Sequence, residues 1–226
     1  MLSKIRSVYT AFEFFITVAI TIILMFFFRP HQRFFRWIWA NSQKYLIGFK
    51  IDIRGKPDSN AKLLVVNHQS VLDIIVMEAI YPPNIAWVAK KEIFKLPFLG
   101  QSVKLSKMIC LDREDKRAMV KLLKDVKDRI DSGRPVIIFP EGTRGKGEKL
   151  LKFQIGAKIL AEKLNLTVQP VVIANARKIF DSQGFKVSSQ TAIVSYLPSV
   201  NPKDNEEWYE NLRDDMQREL TKLLSE

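Results

Sequence analysis

Residues 63–76, LLVVNHQSVLDIIV, place two apolar runs on either side of a polar heptad that begins at Asn67 and ends at Asp73. The first run, Leu63–Val66, is short and uncharged and reads as a strand. Asn67 and His68 follow as a turn. A helix then begins near Ser70, because Ser70 and Asp73 stand at the spacing of a capping box, with the hydroxyl at the N-cap and the acid three residues on. A strand, a turn and a capped helix are one unit of a layered α/β architecture.

The histidine inside this unit admits two readings. In one continuous helix, residues five apart lie about 140° from each other, so His68 and Asp73 would not meet. With His68 in the turn ahead of the helix, its ring can fold back over the first turn. The carboxylate then orients the imidazole and stabilises its charged form, which is what a general base requires. Standing alone, the same residues read as a helix cap beside a structural histidine. The only other histidine is His31.

The pattern continues on the C-terminal side. Candidate strands are Lys50–Arg54, Ile85–Ala89, Met108–Leu111, Val136–Phe139, Val168–Ile173 and Thr191–Leu197, besides Leu63–Val66. Between them Met119, Leu122, Leu123, Val126 and Ile130 repeat at helical spacing and are closed by Gly133. Phe153, Gly156, Ala157, Leu160, Ala161 and Leu164 form a second stripe, and Trp208, Leu212, Met216, Leu220 and Leu223 a third. The expected fold is therefore an α/β layered domain, a largely parallel or mixed sheet flanked by helices. Ligands in such sheets collect at the carboxyl ends of the strands.

A second polar motif sits at such an end. Phe139-Pro140-Glu141-Gly142-Thr143-Arg144 follows the strand PVIIF, and Lys146 and Lys149 come soon after. Glycine gives the backbone freedom for a tight anion-facing loop, and an arginine offers a planar fork to a phosphate. The segment lacks the GxxxxGK[ST] pattern of a P-loop and has no acids arranged for Mg²⁺. By composition alone it is equally a solvated basic loop.

Toward the N-terminus, Phe14–Phe28 (FFITVAITIILMFFF) runs fifteen residues without a charge. That is about 22 Å of helix, short of a roughly 30 Å hydrocarbon layer. Extending it back to Val8 gives about 31 Å and takes in Glu13. Phe26-Phe27-Phe28 covers every face of the helix, which favours membrane insertion over a buried core helix, as one span or as a hairpin within one leaflet. Arg29-Pro30 ends the helix. From Arg29 to Lys50 come five Lys/Arg, no acids, and Phe34, Phe35, Trp37, Trp39, Tyr45 and Phe49. Phe34, Phe35, Ile38, Tyr45, Leu46 and Phe49 share about 120° of a helical wheel, the pattern of an interfacial helix on anionic lipid. Residues 1–50 are thus expected to be a membrane-anchoring segment and residues 51–226 the α/β domain.

Composition agrees. The chain has 226 residues with a net charge of +12 and 47% apolar residues, enough for a core. The charge calls for an anionic partner, whether nucleic acid, an anionic membrane surface, a phosphorylated substrate or an acidic protein, and the lack of a nucleic-acid-binding signature lowers the first. The one cysteine, Cys110, rules out an intrachain disulfide and suits a small buried hydrophobe.

NHQSVLD and FPEGTR, about 70 residues apart and in this order, resemble the NHx4D and FPEGTR signatures of the glycerolipid acyltransferase family, the PlsC-type 1-acylglycerol-3-phosphate acyltransferases. Other segments agree: VAKKEIFKLPFLG at 88–100 with its lysines, MICLDR ending in Arg113, and VQPVVI with Pro170. One departure is Ser106-Lys107, where the family has a glycine ahead of the strand. The resemblance implies acyl transfer from acyl-ACP or acyl-CoA to the sn-2 hydroxyl of lysophosphatidic acid, forming phosphatidic acid, with no metal and no other cofactor. It implies His68 as catalytic base and Asp73 as its orienter. It also implies that Glu141, Gly142, Thr143, Arg144, Arg113 and Lys90 bind substrate, and that the protein works at the cytoplasmic face of a bacterial inner membrane. Thr143 leans toward a lysophospholipid acceptor.

An alcohol is a poor nucleophile at neutral pH, so direct attack on a thioester needs such a base. No G-x-S-x-G elbow suggests an acyl-enzyme. The alternatives are a different lysophospholipid acceptor, a lipid hydrolase, for which nucleophile and metal-ligand spacings are lacking, and a non-catalytic protein that binds anionic lipid.

Overall fold

A computed structural model of the chain describes residues 2–181, 184 and 186–226. Two helices come first, α1 (Leu2–Phe27) and α2 (Gln32–Gln43), joined by a 3-10 turn at Arg29–His31 in which Pro30 stops α1. A π turn at Lys44–Gly48 leads into β1 (Lys50–Arg54). There follow β2 (Leu63–Val66), α3 (Leu72–Ile80), β3 (Ala86–Lys90), α4 (Lys91–Lys95), α5 (Leu99–Leu105), β4 (Ile109–Leu111), α6 (Ala118–Asp131) and β5 (Val136–Ile138). The chain finishes with α7 (Gly156–Lys163), β6 (Val168–Ala174), α8 (Ala176–Ile179), β7 (Phe180–Asp181), β8 (Lys186–Val187), β9 (Thr191–Tyr196) and α9 (Trp208–Leu224).

Among the described residues seven strands form one mixed sheet, in the order β1-β9-β6-β2-β5-β3-β4. Strand β9 pairs antiparallel with β6 and parallel with β1, and the strands from β6 to β4 all run the same way. Each expected strand is present, with its ends moved by one residue at most. Phe153 packs from the loop ahead of α7 rather than from the helix itself. The short elements α4, α5, α8, β7 and β8 had no periodicity to reveal them, since each has seven residues or fewer.

The sheet divides the interior into two layers. Along β2, Leu63 and Val65 point to the side covered by α6, α7 and α9, while Leu64 and Val66 point to the side covered by α2, α3 and α8. All four are fully buried, as a central parallel strand requires. At the far edge Lys107 takes a left-handed backbone conformation with φ 49° just before β4. This is the region of the departure at Ser106-Lys107, and glycine is the residue that adopts such a φ without steric cost. Cys110, expected to be buried, is half-buried in β4, and burial pushes its thiol pKa up.

The first two helices bury polar side chains along with Val18, Ile22, Met25 and Ala40, and expose a largely apolar outer face. Their buried positions include Ser7, Thr10 and Glu13 on α1 and Arg36 and Gln43 on α2. Phe12, Phe15, Ile20, Ile23, Phe26 and Phe27 of α1, with Phe34, Trp37 and Ile38 of α2, are exposed. Gln43 Nε2 and Trp39 Nε1 each donate to Thr17 Oγ1 at 3.1 Å, so polar groups hold the helices together from inside. The expected stripe on α2 is split: Phe34, Ile38 and Tyr45 face outward, while Phe49 turns into the core. On the domain side Arg33 and Arg36 close on the buried carboxylate of Glu78 in α3, with Arg33 Nη1 at 3.1 Å from Oε2. Arg33 Nη2 also donates to the Tyr81 carbonyl. Among the described residues one helix, Ile5–Phe27, is long and apolar enough to cross a membrane, with mean hydropathy 2.2.

Candidate active site

Because β2 and β5 pair in parallel, with Leu63 opposite Val136 and Val65 opposite Ile138, the two polar motifs leave the sheet side by side at its carboxyl edge. Lys90 at the end of β3 and Arg113 just after β4 come to the same edge, since those strands run the same way.

His68 lies in the turn, and its ring folds back onto the first turn of α3. Nδ1 lies 2.9 Å from Asp73 Oδ2. The same oxygen accepts the backbone N–H of Gln69 at 2.7 Å and of Ser70 at 2.8 Å, while Ser70 Oγ accepts the N–H of Leu72 at 3.1 Å. Asp73 thus closes a reciprocal cap with Ser70 and holds the imidazole with one oxygen. One carboxylate thus both caps the start of α3 and orients the imidazole. Asp73 is fully buried, and among the described residues its Oδ1 has no hydrogen-bond partner. An acceptor-only carboxylate fixes the proton of His68 on Nδ1 and leaves Nε2 as the basic nitrogen.

The second loop is stitched to the first. Glu141 Oε1 accepts the His68 N–H and Oε2 the Leu151 N–H, both at 2.8 Å, and the Gly145 N–H donates to the His68 carbonyl at 2.7 Å. Burial pushes the Glu141 carboxyl pKa upward, and the two backbone donors work against that. Gly142 has φ +68°. A Cβ there would lie 2.3 Å from Arg113 Nη2, so glycine is what lets the guanidinium lie against the loop, where Nη2 reaches the Gly142 carbonyl at 3.3 Å.

These residues open onto a cleft of about 670 Å³. His68, Lys90, Arg113, Gly142, Thr143 and Arg144 all line it. Glu141 does not: its carboxylate lies beneath the loop, bonded to backbone. Away from the basic rim the wall is apolar, with Val88, Leu111, Met119, Leu122, Ile138 and Ala157. The arrangement offers a base, cations at the mouth for an anionic group, and a dry interior for a hydrocarbon chain. Among the described residues no group of His, Cys, Asp and Glu is placed to hold a metal ion.

Three contributors to the site escaped sequence reasoning. Asn67 is fully buried and bridges β2 to β6: its Nδ2 donates to the Ile173 carbonyl at 3.0 Å, and its Oδ1 accepts the Ile173 N–H at 2.7 Å. Phe139 stacks on the His68 ring, with centroids 3.9 Å apart, and Trp87 stacks on Phe139 at 5.3 Å. Trp87 Nε1 in turn donates to Glu78 Oε1 at 2.9 Å. An aromatic residue at the end of a strand was the only signal for the stack, and it is indistinguishable there from core.

Comparison with known proteins is consistent with this geometry. The acyltransferase family model matches residues 50–174. The chain is 43% identical to the 1-acyl-sn-glycerol-3-phosphate acyltransferase of Helicobacter pylori strain J99, over 99% of this chain and 96% of that protein. It is 29% identical to the yeast (Saccharomyces cerevisiae) protein of the same name, over 82% of this chain and 66% of that one. The crystal structure of PlsC from Thermotoga maritima, the 1-acyl-sn-glycerophosphate acyltransferase, superposes with a TM-score of 0.82 at 19% identity, covering 98% of this chain and 96% of that one, and so shares its fold. With the family model spanning more than half its length and a relative matching it nearly end to end, this chain belongs to the acyltransferase family.

Proposed function

We propose that the enzyme transfers a fatty acyl group from acyl-CoA or acyl-ACP to the sn-2 hydroxyl of lysophosphatidic acid in a membrane, forming phosphatidic acid. The observation that carries this reading is the His68–Asp73 pair at the mouth of an apolar cleft with a basic rim. The hydroxyl oxygen attacks the thioester carbonyl while its proton passes to His68 Nε2. The C–S bond then breaks, and the imidazolium returns that proton to the departing thiolate. Asp73 holds the ring and balances its charge during the step, a contribution of about 10²–10⁴ in rate for the base. Arg113, Arg144 and Lys90 receive the acceptor phosphate, Thr143 lines the same cleft, and Gly142 keeps the loop close to Arg113. Glu141 acts from below by fixing the backbone of His68. The apolar wall accepts the acyl chain.

The exposed apolar faces of α1 and α2 support a site that works at lipid. A soluble monomer does not expose so large a contiguous apolar surface. Arg6 near the start of α1 donates to the Ile47 carbonyl and Phe14 packs on Phe180, so that half of α1 lies along the domain. That favours a hairpin seated in one leaflet over a span. The basic exterior suits anionic headgroups and an acidic carrier or CoA. The test is thiol release from acyl-CoA or acyl-ACP by the full chain in vesicles, with and without lysophosphatidic acid. Release that depends on the acceptor supports the reading. Release without acceptor, yielding free fatty acid, would indicate a hydrolase, and no release would leave only lipid binding.

A further inference from the structure

The apolar surface of α1 does not end with α1. Phe15 packs on Phe98, with ring centroids 5.9 Å apart, and Phe98 belongs to the tight connection between α4 and α5. There Ile93, Leu96 and Phe98 are all exposed, at 38%, 46% and 37%. Lys95 and Lys104 flank them and are exposed as well. Three features show that this projection is built rather than incidental. Phe98 has φ 66° and ψ −65°, and the Leu99 N–H donates to the Pro97 carbonyl at 2.7 Å, which is a γ-turn in the form that non-glycine residues rarely adopt. Gly100 is buried with its would-be Cβ 2.6 Å from the Phe94 carbonyl, so the two short helices approach as closely as backbone allows. Lys91 is paired with Asp112, which ties the start of α4 to the strand edge. The turn thus presents Leu96 and Phe98 beside the exposed face of α1 instead of folding them inward.

The same segment borders the site. Ile93 and Lys90 line the cleft that contains His68. We infer that the α4–α5 connection is a second membrane-docking element: Leu96 and Phe98 enter the acyl region of an anionic bilayer, Lys95 and Lys104 meet its headgroups, and the lysophospholipid passes along this segment from the bilayer into the cleft. This rests on the reading of the enzyme as a membrane acyltransferase anchored by α1 and α2. Continuity with the α1 surface, exposed Lys95 and Lys104 on the two short helices that carry the apolar turn, and a shared wall with the cleft all favour lipid as the partner.

The test uses the full chain in mixed phosphatidylcholine and phosphatidylglycerol vesicles, with Cys110→Ser as background. An environment-sensitive fluorophore is placed in turn at Leu96→Cys, at Phe27→Cys on α1 and at Val120→Cys on α6, a site exposed away from these elements. Nitroxide-bearing lipids should quench the labels at 96 and 27 and spare the label at 120. Quenching at 27 with a label at 96 that behaves like the one at 120 would overturn the docking element and leave the anchor standing. No quenching at any site would overturn both. Independently, Leu96→Asp should raise KM for vesicle-borne lysophosphatidic acid about tenfold, with kcat and the KM for a short-chain, monomeric analogue unchanged. An equal change with both acceptors would mark Leu96 as structural only and overturn the inference.

Discussion

The phenyl ring of Phe139 lies flat against the imidazole of His68, with centroids 3.9 Å apart and 12° between the planes. The face of an aromatic ring is the negative end of its quadrupole, so in the proposed transfer this contact would stabilise the cationic ring of the base. Phe139→Leu removes the face and keeps the volume. We expect kcat to fall about two- to fivefold with KM little changed, and Phe139→Tyr to recover most of the loss. Steady-state kinetics on both variants checks this, and an unchanged kcat in the leucine variant would show that the stack only fills space.

Gly142 keeps Arg113 in place, and Gly142→Ala tests that. The new Cβ meets the guanidinium, and φ +68° is unfavourable for alanine. The strain costs about 1 kcal/mol of stability, measurable by denaturant unfolding. If Arg113 contacts the acceptor phosphate, losing that charged hydrogen bond raises the acceptor KM about tenfold, while the donor KM stays near its original value.

Glu141 carries a pH signature. Burial, the larger effect, holds its carboxyl pKa above the usual value, against the pull of two backbone donors. A carboxyl raised on folding gives its full stabilisation below the ordinary carboxylate pKa of about 4.3, and loses it as pH rises through the higher folded value. Glu141→Gln cannot titrate. The stability difference, wild type minus variant, should therefore shift against the wild type as pH rises from acid to neutral. Urea unfolding across that range decides it, and a difference that grows with pH would contradict the burial argument.

Lys107 is a site where the chain carries avoidable strain. Its φ of 49° is unfavourable for any residue with a Cβ, and its side chain is exposed. Lys107→Gly should stabilise the protein by about 0.5–1 kcal/mol, read as a higher unfolding midpoint with activity unchanged.

Much of this molecule was legible from sequence because its signals were periodic or paired. Leu63–Val66 and the stripes in α6 and α9 follow from hydrophobic spacing, and a capping box located the turn that brings His68 to Asp73. What escaped lacked local expression. The Asn67 bridge joins residues 106 apart in the chain. The backbone clamp made by Glu141 was equally silent, because a buried carboxylate takes whatever N–H donors surround it. The polar interior of α1 and α2 was hidden for a different reason. Glu13 and Gln43 look like interruptions of an apolar pattern until the two helices are seen to face each other through them.

In the proposed function His68 is the base of an acyl transfer to a lysophospholipid. The most direct measurement is a mass-spectrometric product assay on wild type and His68→Ala in vesicles containing lysophosphatidic acid and an acyl thioester, with vesicle binding measured alongside. We predict phosphatidic acid from the wild type, a loss of about 10²–10⁴ in the variant, and equal binding of both to vesicles. Phosphatidic acid formed at the wild-type rate by His68→Ala would contradict the account.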